Sequence, residues 1–306
     1  MKILKSILAF LIVNVSIIVW ITIIFYILSL FWIHVWTNNN LLLYSIIIWF
    51  VASFISLLIS KYIINWQYNI KYIKEYEDIY NISSEYWIDE NKIKFLYEEL
   101  NNLKQKYWYS NIELWIYKDE EPNAFAFWCW ICWRWIVFST NILNLMNEEE
   151  LLWVLWHEFS HINNWDVVSM TILQWFLNVF VIYISRILAN LITSDDDNEW
   201  WWILNFILVI VFEILFWILA SIVTAYYSRI REFKADEWSA KIEWKQKMIE
   251  ALQKLQLFEQ ENLIWIDNRK VATTFKIDST KLLLNLFATH PPLESRIKNL
   301  LELNIK

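Results

Sequence analysis

The hydrophobic residues of this chain are concentrated in four long apolar stretches, separated by short polar loops or by longer mixed segments. The stretches cover residues 7–33, 41–60, 167–193 and 202–227. Each is long enough to cross a membrane as an α-helix, which takes about 20 residues. A cleaved signal peptide is the alternative for the first stretch, but its apolar run exceeds the roughly 7–15 residues of a signal peptide and no small-residue cleavage site follows. The pattern therefore predicts four transmembrane helices.

Basic residues near the ends of these stretches predict their orientation in the membrane. The loops at 34–40 and 194–199 contain no Lys or Arg, so we expect them on the outer side. Lys and Arg flank the opposite ends of the stretches, at Lys2, Lys5, Lys61, Lys71, Lys74, Arg229, Arg231 and Lys234. Both termini and both mixed segments are then expected on the cytoplasmic side.

The predicted organisation has four parts. Transmembrane hairpins occupy residues 1–64 and 167–227, and one cytoplasmic domain is assembled from residues 65–166 and 228–306. In the first of these segments, residues 89–106 have the periodicity of an amphipathic helix. Two runs rich in β-formers predict strands at 112–117 and 135–140, with a turn at 118–123. We expect a mainly α-helical membrane protein whose cytoplasmic α+β domain contains a small β-sheet.

Two charged residues, Arg186 and Glu213, fall inside predicted transmembrane helices. Charges at such positions usually form pairs or carry a function. Counted from the outer loop the two lie at similar depth, so the sequence predicts an interhelical ion pair. Snorkelling of the charged side chains, or an error in the helix boundaries, is one alternative. A transport role is another, and it predicts a flux that does not depend on a bound metal.

Composition agrees with a membrane protein and excludes one class of partner. Hydrophobic residues make up 58% of the 306 residues, charged residues 19%, and mean hydropathy is +0.32. The formal net charge of −7 argues against nucleic-acid binding, which needs a basic surface. The two cysteines, Cys129 and Cys132, form a C-x-x-C. Since no second pair occurs, we interpret them as small strand residues rather than as a redox or metal motif.

Candidate chemistry begins in the sequence HEFSH at residues 157–161. His157 and His161 are one helical turn apart, so both imidazoles can bind one zinc ion, and Glu158 is a candidate general base. Asn147 and Glu150 resemble a capping box at the start of this helix. A chance match is the alternative, but two of the chain's four histidines fall within this motif.

A catalytic zinc site needs a third protein ligand as well as an open position. The candidate is REFKADE at 231–237, where Glu232 and Asp236 share one helix face. One carboxylate can bind the metal while the other orients a histidine through its free ring nitrogen. A solvated, charged helix start near lipid headgroups is the alternative.

Taken in order, several segments resemble the HtpX-type membrane zinc peptidases, and the resemblance covers nearly the whole chain. The matching segments are NAFAF, STNILNLMNEEELLWVLWHEFSHINNWDVV, a hydrophobic hairpin, SRIREFKADEWSA and ATHPPLESRI. The resemblance implies a zincin-like protease domain whose first part carries the H-E-x-x-H helix and whose second part carries the third ligand.

The resemblance also implies a role for each matching residue. His157, His161 and Glu232 are implied to bind one Zn²⁺ per chain, and Glu158 to act as the general base. Lower-ranked residues implied to support the site or the substrate are Asp236, His290, Arg296 and Asn123, the last in a segment that runs toward the substrate groove. For His290, capping or packing before Pro291 is the alternative to a hydrogen bond with the oxyanion.

The implied activity is that of a membrane-embedded zinc endopeptidase with both termini and its site on the cytoplasmic side of a bacterial inner membrane. The implied substrates are peptides or misfolded membrane proteins, in a quality-control or stress-response role. One alternative is a catalytically inactive scaffold of the same fold, although the chain retains Glu158 and Glu232. A CAAX-type prenyl-protein protease is another, although that relative has more transmembrane helices.

Tryptophan is abundant in a chain that has no glycine. The sequence contains 23 Trp and 0 Gly, whereas glycine normally makes up about 7% of residues. Trp165 lies where a helix end favours glycine, and Trp153 and Trp156 lie on the same helix as the metal-binding motif. We interpret the tryptophans as glycine codons translated as tryptophan. A genuine Trp-rich membrane protein is the alternative, but it does not explain turns without glycine.

Overall fold

The computed structural model describes most of the chain from residue 70 onward. The described residues are 46–47, 50–52, 55, 65–66, 70–129, 133–193, 199–242, 245–269 and 290–303, of which 128, 129, 133, 199 and 261–269 are described by backbone alone. The predicted transmembrane helices at 7–33 and 41–60 lie outside the described residues, apart from a few positions of the second. Cys132 and the outer loop at 34–40 also lie outside them.

From residue 70 onward, the described residues form eight helices and four strands. The strands are β1 (Lys71–Ile73), β2 (Ile112–Tyr117), β3 (Ala124–Cys129) and β4 (Trp133–Ser139). The shorter helices are α1 (Tyr76–Tyr86), α2 (Glu90–Lys106), α3 (Thr140–Leu145) and α8 (Leu293–Glu302). The longer helices are α4 (Glu148–Asn163), α5 (Asp166–Thr193), α6 (Glu199–Ile242) and α7 (Lys245–Arg269).

The strands form one mixed sheet in the order β1-β2-β4-β3, in which only β2 and β4 are parallel. Alternate residues of β2 are buried on one face, at Ile112, Leu114 and Ile116. They share the hydrophobic core with buried residues of α2 and α4, as expected for a sheet with one covered face. The predicted strand at 112–117 is confirmed.

The boundary between β4 and α3 differs from the predicted strand at 135–140. Ser139 ends the strand as an N-cap, and its side chain accepts a hydrogen bond from the backbone N–H of Ile142. Thr140 is therefore the first residue of α3. Serine is a strong N-cap because its oxygen satisfies a helix N–H that has no partner within the helix, and this local bond overrides the β propensity of the run.

Helix α4 begins with the capping box that the sequence predicts. Asn147 Oδ1 accepts from the N–H of Glu150 at 2.8 Å, and the Glu150 side chain accepts from the N–H of Asn147 at 2.8 Å. Lys254 of α7 donates to the Glu150 carboxylate at 2.7 Å. Four residues at helical spacing then pack into the core, at Leu151, Leu155, Phe159 and Ile162. The opposite face of α4 is left for the two histidines.

Two of the described helices, α5 and α6, are long and apolar enough to cross a membrane. The mean hydropathy of their most apolar windows is 1.9 and 2.9. Their apolar parts coincide with the third and fourth stretches predicted from sequence. Helix α6 does not end with its apolar stretch, because it continues as one 44-residue helix through Glu232 and Asp236.

The predicted ion pair between Arg186 and Glu213 is not formed as a direct contact in the described part of the chain, although the charge of Arg186 acts on Glu213. Arg186 is exposed, Glu213 is half-buried, and no ion pair of 4 Å or less joins the two residues. A charge that faces outward on a long helix can extend along the helix surface instead of pairing.

The chain divides into two compact units. One contains residues 1–67 and 169–224, and the other contains residues 68–168 and 225–306. Each unit is therefore built from two separate parts of the sequence.

Among the described residues, a positive φ occurs at three positions, and all three are tryptophan. Trp87, Trp108 and Trp165 have φ of 58°, 60° and 60°. They follow the ends of α1, α2 and α4, where a left-handed residue commonly terminates a helix and is usually glycine. A Cβ in this conformation costs roughly 1–2 kcal/mol. Their exposed fractions are 89%, 94% and 52%, so burial of the indole does not compensate.

Candidate metal centre

Three side chains from two helices, the buried His157 and Glu232 and the half-buried His161, converge at one point in the second compact unit. Helix α4 contributes His157 and His161, whose Nε2 atoms are 3.3 Å apart. Helix α6 contributes Glu232, whose carboxylate oxygens lie 3.5 Å from His157 Nε2 and 3.6 Å from His161 Nε2. One ligand atom from each residue lies within 4.8 Å of the others. Residues 71 positions apart in sequence are thus brought together around one small space.

The spacing of these three atoms fits a metal ion of the size of zinc. Zinc is bound tetrahedrally by nitrogen and oxygen at about 2.0–2.1 Å, which places neighbouring ligand atoms about 3.3–3.4 Å apart. The two Nε2 atoms are 3.3 Å apart, and each lies 3.5 or 3.6 Å from a different oxygen of the Glu232 carboxylate, Oε2 for His157 and Oε1 for His161, which is close to this value. Two imidazoles and one carboxylate are also a donor set that zinc accepts, with a fourth position open.

His157 is held from behind by a buried ion pair. Its Nδ1 lies 2.9 Å from Asp236 Oδ1. Arg296 of α8 binds both oxygens of Asp236, with Nε–Oδ2 at 2.7 Å and Nη2–Oδ1 at 2.5 Å. Asp236 is fully buried and Arg296 nearly so. The predicted supporting residues Asp236 and Arg296 therefore lie together, and they fix the ring that faces Glu232.

Electrostatics in this cluster favour the protonated form of His157 when no cation is bound. Burial lowers the pKa of His157, but hydrogen bonds to Asp236 and Glu232 outweigh burial and raise the pKa to about 10. Burial likewise lowers the pKa of Arg296, and the charge and hydrogen bonds of Asp236 raise it overall. A cluster with two buried carboxylates thus attracts positive charge, which a metal ion supplies.

Glu158 and His290 border the same space. Glu158 is buried beside His157 on α4, and its charge acts on both His290 and Arg296. His290 Nδ1 lies 3.3 Å from Glu232 Oε2, and 72% of the His290 side chain is exposed. Contact with Glu232 raises the pKa of His290. His290 therefore reaches the cluster from the solvent side.

Asn123 lies away from this cluster, at the start of β3. Its backbone N–H donates to Ser139 Oγ at 2.9 Å, and its side chain donates to the Tyr117 hydroxyl at 3.2 Å. Strand β3 packs beside α4 and lies at the edge of the sheet. The contacts of Asn123 thus fix the entry to the edge strand and do not reach the ligands.

Sequence reasoning missed Asp166, whose Oδ2 lies 2.6 Å from His161 Nδ1. The residue appears in the sequence only as the start of an apolar stretch, five positions after His161. No helical periodicity links the two, because α4 ends between them. The one available signal is a carboxylate placed just after a predicted helix end.

These features define a metallopeptidase that carries long apolar helices. An H-E-x-x-H helix supplies two converging histidines, and a second helix supplies a carboxylate with an Asp one turn later. The model of peptidase family M48 matches residues 91–304, and the chain belongs to that family.

Two proteins named as HtpX proteases are similar in sequence to this chain over most of its length. The Protease HtpX homolog of Methylacidiphilum infernorum is 37% identical over 271 residues, which cover 86% of this chain and 85% of the relative. Protease HtpX of Tolumonas auensis is 34% identical over 306 residues, covering 98% and 99%. The chain is thus an HtpX-like zinc metalloprotease, which confirms the resemblance found in the sequence.

A solved structure shows that the fold is shared more widely. The crystal structure of S. mikatae Ste24p matches with a TM-score of 0.65 at 19% identity, over 97% of this chain and 64% of the Ste24p chain. The prediction of a mainly helical protein with a small sheet is confirmed. Two candidate membrane-spanning helices are present among the described residues, whereas four were predicted.

Proposed function

We propose that this protein binds one Zn²⁺ through His157, His161 and Glu232 and uses Glu158 as the general base of peptide-bond hydrolysis. The observation that carries the proposal is the convergence of the three ligand atoms beside the buried Glu158. Family membership supports the same reaction class.

A zinc ion held by His157, His161 and Glu232 would supply Lewis acidity, which would polarise a peptide carbonyl and lower the pKa of water. Glu158 accepts a proton from the attacking water and passes it to the nitrogen of the leaving peptide. Asp236 and Arg296 hold His157 in the orientation in which Nε2 faces the metal. His290, with an exposed ring, is placed to donate a hydrogen bond to the developing oxyanion. Asn123 and the edge strand that follows it are proposed to guide the substrate.

Substrates and location belong to the same proposal. The protease domain is assembled from residues 65–166 and 228–306, with the hairpins 1–64 and 167–227 in a bacterial inner membrane and the site on the cytoplasmic side. Misfolded or damaged membrane proteins are the proposed substrates, since Glu232 lies on the same continuous helix as the fourth apolar stretch. The relatives at 34–37% identity are both named as HtpX proteases, and neither the inactive scaffold nor the prenyl-protein protease is favoured.

The test is a Glu158→Gln variant of the full chain in detergent, loaded with zinc and assayed on casein and on a destabilised membrane protein. We expect turnover to fall by about 10²–10⁴-fold, the usual contribution of a general base, with zinc content unchanged at one per chain. Glu148→Gln is the matched control, because Glu148 lies on the same helix and is exposed.

Equal cleavage by wild type and Glu158→Gln would show that Glu158 is not the base. Absence of zinc from the purified wild-type protein, after growth with zinc, would refute the metal assignment itself. Cleavage of casein but not of the membrane protein would leave the chemistry intact and reject the proposed substrate class.

A further inference from the structure

The second histidine of the cluster has a buried carboxylate behind it, as the first does. His161 Nδ1 lies 2.6 Å from Asp166 Oδ2, and only about 9% of the Asp166 side chain is exposed. With Nδ1 facing this carboxylate, the ring turns Nε2 toward His157 and Glu232. The contact therefore fixes both the orientation of the ring and the nitrogen that is free to bind a metal.

The chain reversal after α4 makes this contact possible. Helix α4 ends at Asn163, Asn164 follows as its C-cap, and Trp165 adopts the left-handed conformation with φ of 60°. The backbone N–H of Asn164 and of Trp165 donate back to the last turn, to Ser160 O and Ile162 O. Asp166 is the first residue of α5, so its side chain returns alongside the turn that carries His161.

Asp166 is also fixed to the helix that carries the third ligand. Arg231 Nη1 of α6 donates to the backbone carbonyl of Asp166 at 3.1 Å, and Arg231 Nη2 donates to Ser228 Oγ at 3.3 Å. Arg231 immediately precedes Glu232. One residue thus contacts a metal-binding histidine through its side chain and the glutamate helix through its backbone.

We propose that Asp166 is a positioning residue for zinc: it holds His161 in the Nδ1–H form and, with Arg231, sets the distance between His161 and Glu232. This inference rests on the proposed zinc site and adds a residue to which nothing in the sequence motif assigns a role. Replacing a carboxylate behind a metal-binding histidine typically costs about 10–100-fold in metal affinity, and we expect a loss of that size.

The experiment measures zinc affinity of the full chain in detergent by competition with a chromophoric chelator, so the readout does not depend on peptidase activity. We expect Asp166→Ala to bind zinc about 10–100-fold more weakly than wild type. Asp166→Asn should lose less, because the amide oxygen still accepts the Nδ1–H hydrogen bond. Asn164→Ala is the matched control in the same turn: Asn164 is exposed, and its variant should bind zinc as wild type does.

A purely structural role gives a different result. It lowers the melting temperature of the zinc-free Asp166→Ala protein but leaves the zinc affinity of the folded protein within about threefold of wild type, and that outcome overturns the proposal. If Asp166→Ala does not fold, Asp166→Asn decides: a loss larger than about threefold supports the proposal, and a smaller one overturns it. Failure of wild type to bind zinc refutes the zinc site, whereas equal binding by wild type and variant refutes only the role of Asp166.

Discussion

The two histidines of the metal centre have the same geometry and are supported in different ways. Each presents Nε2 to the shared space and Nδ1 to a buried carboxylate. For His157 the carboxylate is Asp236, which Arg296 binds in turn; these residues come from helices α6 and α8. For His161 the carboxylate is Asp166, five residues further along the chain.

The support of His157 therefore depends on the packing of separate helices, whereas the support of His161 depends mainly on a local turn of the chain. The His157 side exists only when α4, α6 and α8 are packed together, and it includes a charge pair removed from water. The His161 side needs one left-handed residue and the first turn of α5, and a single hydrogen bond, from Arg231 to the backbone carbonyl of Asp166, ties it to α6. Disturbing the first should therefore affect folding and metal binding, and disturbing the second should affect metal binding more than folding.

The largest effect is expected from Arg296→Met, which removes the cation that binds both oxygens of the buried Asp236 carboxylate and leaves it only His157. Breaking a buried ion pair by removing one partner costs about 3–5 kcal/mol, so the free energy of unfolding of the zinc-free protein should fall by that amount. Denaturant-induced unfolding in detergent measures it.

Asp166→Asn is the paired comparison on the His161 side, and it should lower the unfolding free energy by much less. Equal losses in the two variants would contradict the distinction between a tertiary and a local support.

A second prediction concerns pH. In the zinc-free protein His157, with its pKa raised to about 10, carries a proton throughout the neutral range, and zinc must displace that proton because only the neutral ring binds metal. Zinc affinity should therefore rise with pH, by about tenfold per unit for one released proton. Chelator competition between pH 6.5 and 8 checks the slope.

The dependence of zinc affinity on pH should change when the contacts of His157 change, and not when those of His161 change. Asp236→Asn removes a contact that raises the pKa of His157 and should flatten the slope, whereas Asp166→Asn should keep it. An unchanged slope in Asp236→Asn would show that the displaced proton is not held there.

The smallest effect is expected from Trp165→Gly at the turn before Asp166. Relief of a left-handed residue that carries a Cβ should stabilise the protein by about 1 kcal/mol, measured by thermal unfolding. Trp87→Gly is the control, because Trp87 has φ of 58° at a helix end away from the metal centre. Both variants should gain stability, and only Trp165→Gly should change zinc affinity.

The mass of a peptide covering residues 150–166, taken from the native organism, tests the residue at position 165 directly, together with those at 153 and 156. Glycine at 153, 156 and 165 would show that the tryptophans are mistranslated glycine codons. Tryptophan there would mean that the protein tolerates one indole in left-handed backbone, at Trp165, and two indoles, Trp153 and Trp156, on the helix that carries the two histidines.

The sequence by itself determined the elements whose signals are local. The capping box at Asn147 and Glu150, the spacing of His157 and His161, and the two apolar helices after residue 166 each depend on neighbouring residues. Ordered motifs also identified the family, since each motif keeps its residue types and its place in the chain. Glu232 and Asp236 were found as a pair because i and i+4 share a helix face.

Only the tertiary structure shows which carboxylate orients each histidine and which residue binds that carboxylate. Periodicity cannot show that Arg296 binds Asp236, 60 residues away, because such a contact depends on how separate helices pack. Nor can it show that Asp166 reaches His161, since that contact requires a left-handed turn at a residue whose side chain disfavours it. The candidate ligands were therefore predictable from local spacing and motif order. The groups that orient them were not, because burial leaves each carboxylate only the partners that the fold brings to it.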